Sequence, residues 1–134
     1  MATAHSTDST RSTRTPAQLF AIVSAVVYLG AGLVGFAVTG LEPFTGLTGE
    51  TLVLLAINPL HNVVHLALGS LYLAASTDPE RSRQINLVIG VGLLAAFVLG
   101  VAGGANFLNI DGVAEPDNWL HLTWGAASVA FARR

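Results

Sequence analysis

Between Gln84 and Phe107 the chain contains no charged side chain, and between Ala17 and Val38 it contains none either. Apolar runs of about 20 residues are what a helix needs to cross the hydrocarbon core of a bilayer. Composition extends the point to the whole chain. Of its 134 residues 52% are hydrophobic and only 10% charged, at a mean hydropathy of +0.63. Soluble domains carry charge on about a quarter of their positions. The 14 glycines fit the same class, because glycine is commoner in membrane helices than in soluble ones. With no cysteine, disulfides, thiolate metal sites and cysteine nucleophiles are excluded. A net charge of −2 gives no electrostatic footprint for nucleic acid. The chain reads as an all-α membrane protein.

Punctuation along the chain divides it into four helices. Residues 1–16 are rich in Ser and Thr and read as a disordered cytoplasmic tail. A secretory signal is the competing reading of the first apolar run, but Ala17–Val38 exceeds a signal core and lacks a clean cleavage site. Gly40, Pro43, Gly46 and Gly49 then mark a loop, and the apolar Thr51–Ile57 suggests a short helix on the membrane surface. Asn58-Pro59 is an N-cap followed by a preorganised first helical residue, which opens a second helix to about Ser76. The polar segment 77–83 reads as a turn, and the third helix is expected from about Gln84 to about Phe107. After an acidic loop, a fourth helix runs from about Pro116 to Ala132. The transmembrane domain is therefore expected over 17–132, as a first hairpin at 17–76 and a second at 84–132.

Charge sets the orientation. With four spans, the N-terminal tail, the 77–83 turn and the C-terminus share one side. That side holds Arg11, Arg14, Arg81, Arg83, Arg133 and Arg134, while the other carries Glu42, Glu50, Asp111, Glu115 and Asp117. The positive-inside rule places both termini in the cytoplasm.

A short motif occurs twice, 56 positions apart: Asn62-x-x-His65-Leu66-x-x-Gly69 and Asn118-x-x-His121-Leu122-x-x-Gly125. On a helix these steps set Asn, His and Gly along one stripe. Both copies open helices that begin on the outer side, so they lie at the same depth, about 9 Å into the second helix for His65 at 1.5 Å per residue. That arrangement describes two tandem hairpins and disfavours an inverted-repeat transporter with a midplane site.

Ionisable residues inside a membrane helix are functional candidates by default. His65 and His121 facing each other could ligate a metal or a haem, with His61 as a third imidazole. The simpler reading has them bonded to neighbouring helices. Asp117 stands where His61 would repeat; an imidazolium–carboxylate contact is one reading, and a carboxylate favoured by the helix N-terminus is the other. Asn62 and Asn118 suit interhelical bonds or a lipid headgroup. Gly69 and Gly125, together with Gly92, Ala96, Gly100 and Gly104 at every fourth position, read as close-packing notches. Helix one offers Ala21, Ala25, Ala31 and Gly35 in the same way.

The segments Asn58-Pro59-Leu60-His61-Asn62-Val63-Val64-His65-Leu66 and Asp117-Asn118-Trp119-Leu120-His121-Leu122 resemble the two hallmark segments of the membrane family labelled domain of unknown function 4383. The resemblance covers about residues 17–132. It implies a small four-helix integral membrane protein of the kind found in actinobacteria and related bacteria, and it supplies no activity, substrate or cofactor.

The leading expectation is a non-enzymatic membrane scaffold or accessory subunit with an outer-face Asn/His cluster and no catalytic residues. Its expected partners are membrane lipids and a larger membrane complex or a homo-oligomer. The alternatives are a haem- or metal-binding redox protein using His65 and His121, and a small channel or transporter.

Overall fold

Each of the four α-helices begins with a proline, and in the first three the residue before it caps the helix start. The computed structural model describes residues 13–134, and in it the helices are α1 (Pro16–Thr39), α2 (Pro59–Ala75), α3 (Pro79–Val101) and α4 (Pro116–Phe131). Proline fits the first helical position because it lacks an N–H that would be unsatisfied there anyway. Thr15 completes a capping box on α1: its hydroxyl accepts from the Gln18 N–H at 3.3 Å, and the Gln18 side chain accepts from the Thr15 N–H at 3.0 Å. Asn58 and Asp78 cap α2 and α3, each accepting a backbone N–H at 2.8 Å.

Several sequence expectations are corrected here. The proposed tail ends earlier, because Thr15 and Pro16 start α1; residues 1–12 of that tail lie outside the described residues. The segment 77–83 is mostly helix, since Asp78-Pro79 carries the same start signal as Asn58-Pro59. At its other end α3 stops at Val101, where Gly103 turns with φ of +76° and the Gly104 N–H bonds back to the Leu99 carbonyl at 2.9 Å. Thr51–Ile57 is no surface helix. It forms a small antiparallel hairpin of β1 (Thr51–Leu52) and β2 (Leu55–Ala56), with Thr51 opposite Ala56.

α1 packs along α2 and α3 along α4, and these pairs make the most extensive contacts among the helices. Two helices, α1 with 24 residues and α3 with 23, are long and apolar enough to cross a membrane. Their outward faces are aliphatic: Val26 is 69% exposed, Leu33 65%, Val88 66% and Val98 64%. Inside, Phe20, Leu68, Ile85 and Trp124 pack against a small apolar cluster of Ala21, Ala25, Tyr28, Tyr72, Ile89 and Leu93, and elsewhere many of the buried side chains are polar.

Those polar groups bond between helices at the end where the chain enters α1. The Gln18 amide donates to the Ser76 carbonyl at 3.1 Å, and the Asn86 amide to the Ala17 carbonyl at 3.1 Å. Ser128 Oγ donates its single proton to the Asn86 carbonyl at 2.7 Å, so Tyr72 must be the donor in its 2.8 Å bond to Ser128 Oγ. At the opposite end, Asn109 holds the two long loops together. Its carboxamide accepts from the Thr48 N–H at 2.9 Å and donates to the Ile57 carbonyl at 2.9 Å and the Glu50 carbonyl at 3.1 Å. Its φ of +66° is one that asparagine tolerates better than most residues. Asn58 adds bonds to the Gly46 and Phe107 carbonyls at 3.0 and 2.8 Å.

In a double-mutant cycle of Tyr72→Phe and Ser128→Ala, thermal unfolding in detergent should give a coupling energy of about 0.6–1.7 kcal/mol. Purely additive effects would show that this bond does not join the helices.

Candidate functional site: a buried His/Asn/Asp cluster

The two asparagines of the repeated motif sit on glycines of the neighbouring helix. A Cβ placed at Gly35 of α1 would fall on the Asn62 carboxamide oxygen, and one at Gly100 of α3 on that of Asn118. Each oxygen occupies space that any other residue would fill. The amide nitrogens are held too: Asn62 donates to Thr39 Oγ1 at 3.0 Å and Asn118 to the Gly112 carbonyl at 2.6 Å. Both carboxamide oxygens are buried and have no hydrogen-bond partner among the described residues.

The motif glycines also mark close approaches. A Cβ at Gly69 would lie 2.8 Å from the Leu29 backbone nitrogen on α1, and one at Gly125 would lie 3.0 Å from the Gly90 carbonyl oxygen on α3. The expected α3 stripe does not act as a unit. Gly100 meets Asn118, but nothing lies within 4 Å of a Cβ at Gly92. Ala96 is half-buried on a groove wall, and Gly104 lies past the helix end against Leu99. Sequence reading missed Gly32, against Leu66, and Gly90, against Gly125 and Val129. The small-xxx-small signal is degenerate, because glycines facing out give the same spacing as those facing a partner.

His61, Asp117 and His121 come together. One ligand-capable atom of each lies within 4.8 Å of the other two, and all three residues are buried. They arrive from different helices, His61 in the first turns of α2 and Asp117 and His121 in α4. His61 Nδ1 lies 3.1 Å from the Ala56 carbonyl, which can only accept. That contact calls for the proton on Nδ1 and the lone pair of the neutral ring on Nε2, and the Leu108 backbone also lies within hydrogen-bonding reach of the ring. Asp117 Oδ2 and His121 Nδ1 have no partner among the described residues. His65 lies one turn along α2, with its ring centroid 4.4 Å from that of His61 and 5.4 Å from Tyr28 in an edge-on contact. Its Nδ1 is also without a partner among the described residues. His121 thus shares its surroundings with His61 and Asp117, as well as with the His65 expected opposite it.

Two cavities border the cluster. A groove of about 340 Å³ between α2 and α3 has His61, His65 and His121 in its lining, with Leu68, Ile89 and Leu93 among its walls. A smaller one of about 70 Å³, touching α1 and α4, is lined by Asp117, His65, His121 and Trp124. The groove is apolar except for the imidazoles and Tyr28.

The asparagine seats give a direct prediction. Gly35→Ala and Gly100→Ala should each lower stability in detergent by about 1–3 kcal/mol, because the new methyl displaces a carboxamide. Gly92→Ala should leave the melting temperature unchanged or slightly raised, since the space is open and alanine favours helix. Equal tolerance at all three positions would refute the seats.

The family model described as a domain of unknown function, DUF4383, matches residues 18–133. No curated protein and no solved structure matches the chain. The matched stretch takes in α2, α3, α4, all but the first two residues of α1, and both copies of the Asn-x-x-His-Leu-x-x-Gly motif, and on that match the chain belongs to the DUF4383 family.

Proposed function

We propose that the chain is a four-span protein of a bacterial inner membrane, built as two tandem helical hairpins with both termini in the cytoplasm, and that it serves as a non-enzymatic scaffold or accessory subunit. One observation carries this reading. The polar side chains of the helices are used largely to hold helices to one another, while the outward faces are apolar. Asn62 on Gly35 and Asn118 on Gly100 are corresponding contacts in the two proposed hairpins.

α2 and α4, with 17 and 16 residues, rise only about 24–26 Å at 1.5 Å per residue, short of a hydrocarbon core of about 30 Å. Two features favour their spanning nonetheless. Their outward faces are apolar as well, with Leu71 49%, Leu73 53% and Leu120 40% exposed, and Trp119 at 51% suits an interface. At the other end of α4, Arg133 and Arg134 can reach the headgroups and extend the span. The arginine asymmetry orients the protein. In this reading the expected contacts are lipids and a larger membrane complex or further copies of the chain.

Because the chain has no native cysteine, topology can be tested by single substitutions. In intact cells, Thr48→Cys and Asp111→Cys should react with an impermeant maleimide, whereas Thr77→Cys and Arg134→Cys should react only after permeabilisation. Labelling of Thr77→Cys in intact cells would overturn the four-span orientation. Cross-linking in the native membrane tests the role: a defined larger species is expected, and a strictly monomeric protein contradicts a scaffold.

A further inference from the structure

We propose that His61, Asp117 and His121 form a binding site for one divalent transition-metal ion of the Zn²⁺ type, which clasps α2 to α4 at the ends where both helices begin. The site does not depend on the scaffold role.

Four observations converge on it. First, a donor atom from each residue lies within 4.8 Å of the other two, so modest side-chain adjustment brings all three onto one ion. Second, His61 is already oriented as a ligand. Its Nδ1–H is held by the Ala56 carbonyl at 3.1 Å, which puts the ring's lone pair on Nε2; the Leu108 backbone, also within reach of the ring, would yield to the ion. Metal-bound histidines characteristically donate their other ring N–H to a carbonyl or carboxylate in this way. Third, Asp117 is 1% exposed and its Oδ2 has no hydrogen-bond partner among the described residues. The Ala56 backbone reaches this carboxylate, but an ionised carboxylate with one oxygen unpaired is still costly to bury, and a cation best offsets that cost. Fourth, His121 Nδ1 is likewise buried and unpartnered among the described residues.

The donor set chooses the class of ion. Two imidazoles and a carboxylate suit zinc and its neighbours, whereas magnesium and calcium prefer all-oxygen shells. Three protein ligands leave at least one coordination position open on a tetrahedral ion. His61 and His121 also line the groove between α2 and α3, and His65 lines it beside them. A small ligand on the open position would have that groove and the His65 ring next to it.

The test uses the full-length protein in detergent, stripped with a chelator and then given Zn²⁺ alone. Elemental analysis after desalting should find one zinc per chain, with a raised melting temperature. Mg²⁺ should have no such effect. Asp117→Asn and His61→Gln, which keep side-chain size, should weaken zinc binding at least about tenfold. Glu80→Gln, exposed at the start of α3, should leave it unchanged. Undiminished binding in Asp117→Asn, or loss in Glu80→Gln, would overturn the assignment. Should the cluster variants fail to fold, Co²⁺ added to the unmodified protein decides the matter. Intense visible bands of a four-coordinate site are expected, and their absence would overturn the proposal.

Discussion

A polar side chain buried among helices has no water to bond, so its partner must come from elsewhere in the chain. That requirement governs how these helices meet. Asn86 gives its amide proton to α1 through the Ala17 carbonyl, while its own carbonyl accepts from Ser128 of α4. Gln18 of α1 reaches the last turn of α2 at Ser76. Aliphatic side chains, meanwhile, point outward. An arrangement with polar contacts within and apolar surface without is costly in water and suited to lipid, where packing and interhelical bonds rather than hydrophobic burial hold helices together.

The repeat gains meaning from its imperfections. Asn62 and Asn118, 56 positions apart, make like contacts with Gly35 and Gly100. Two other pairs at the same spacing have diverged, and in each the two members lie close to one another: Tyr72 bonds to Ser128, and His61 lies beside Asp117. If the hairpins are related by an approximate twofold, residues near the axis face their own counterparts. Identical pairs there would set donor against donor or charge against charge. Tyr with Ser, and His with Asp, are complementary instead: on the proposed twofold the first pair makes a bond and the second sets an imidazole beside a carboxylate.

Much of the fold was legible because helix starts are local. Asn58-Pro59 and the motif stripe positioned α2, and charge runs separated the loops. Errors arose where a local signal was outweighed or missed. Asp78-Pro79 carries a start signal as clear as Asn58-Pro59, but the charged residues after it suggested a turn. The Thr51–Ile57 segment is short enough that apolar content does not separate helix from hairpin, and its pairing is reinforced by Asn109 from a distant loop. The same distance hid the site. His61 and Asp117 stood out as equivalent helix starts, but only tertiary packing brings His121 to both while setting His65 against His61 and Tyr28. In α3 the stripe of small residues gave no means of telling the buried Gly100 from the open Gly92.

In the proposed four-span arrangement the outward faces of all four helices meet lipid. Spin labels placed singly at Val26, Leu71, Val88 and Leu120 in reconstituted bilayers test it most directly, through collisions with oxygen and with a water-soluble nickel chelate. The account predicts high oxygen and low nickel accessibility at all four positions, with the reverse for a label at Asp111. Nickel accessibility at Leu71 or Leu120 comparable to that at Asp111 would mean that α2 or α4 lies in water, and would contradict the four-span arrangement.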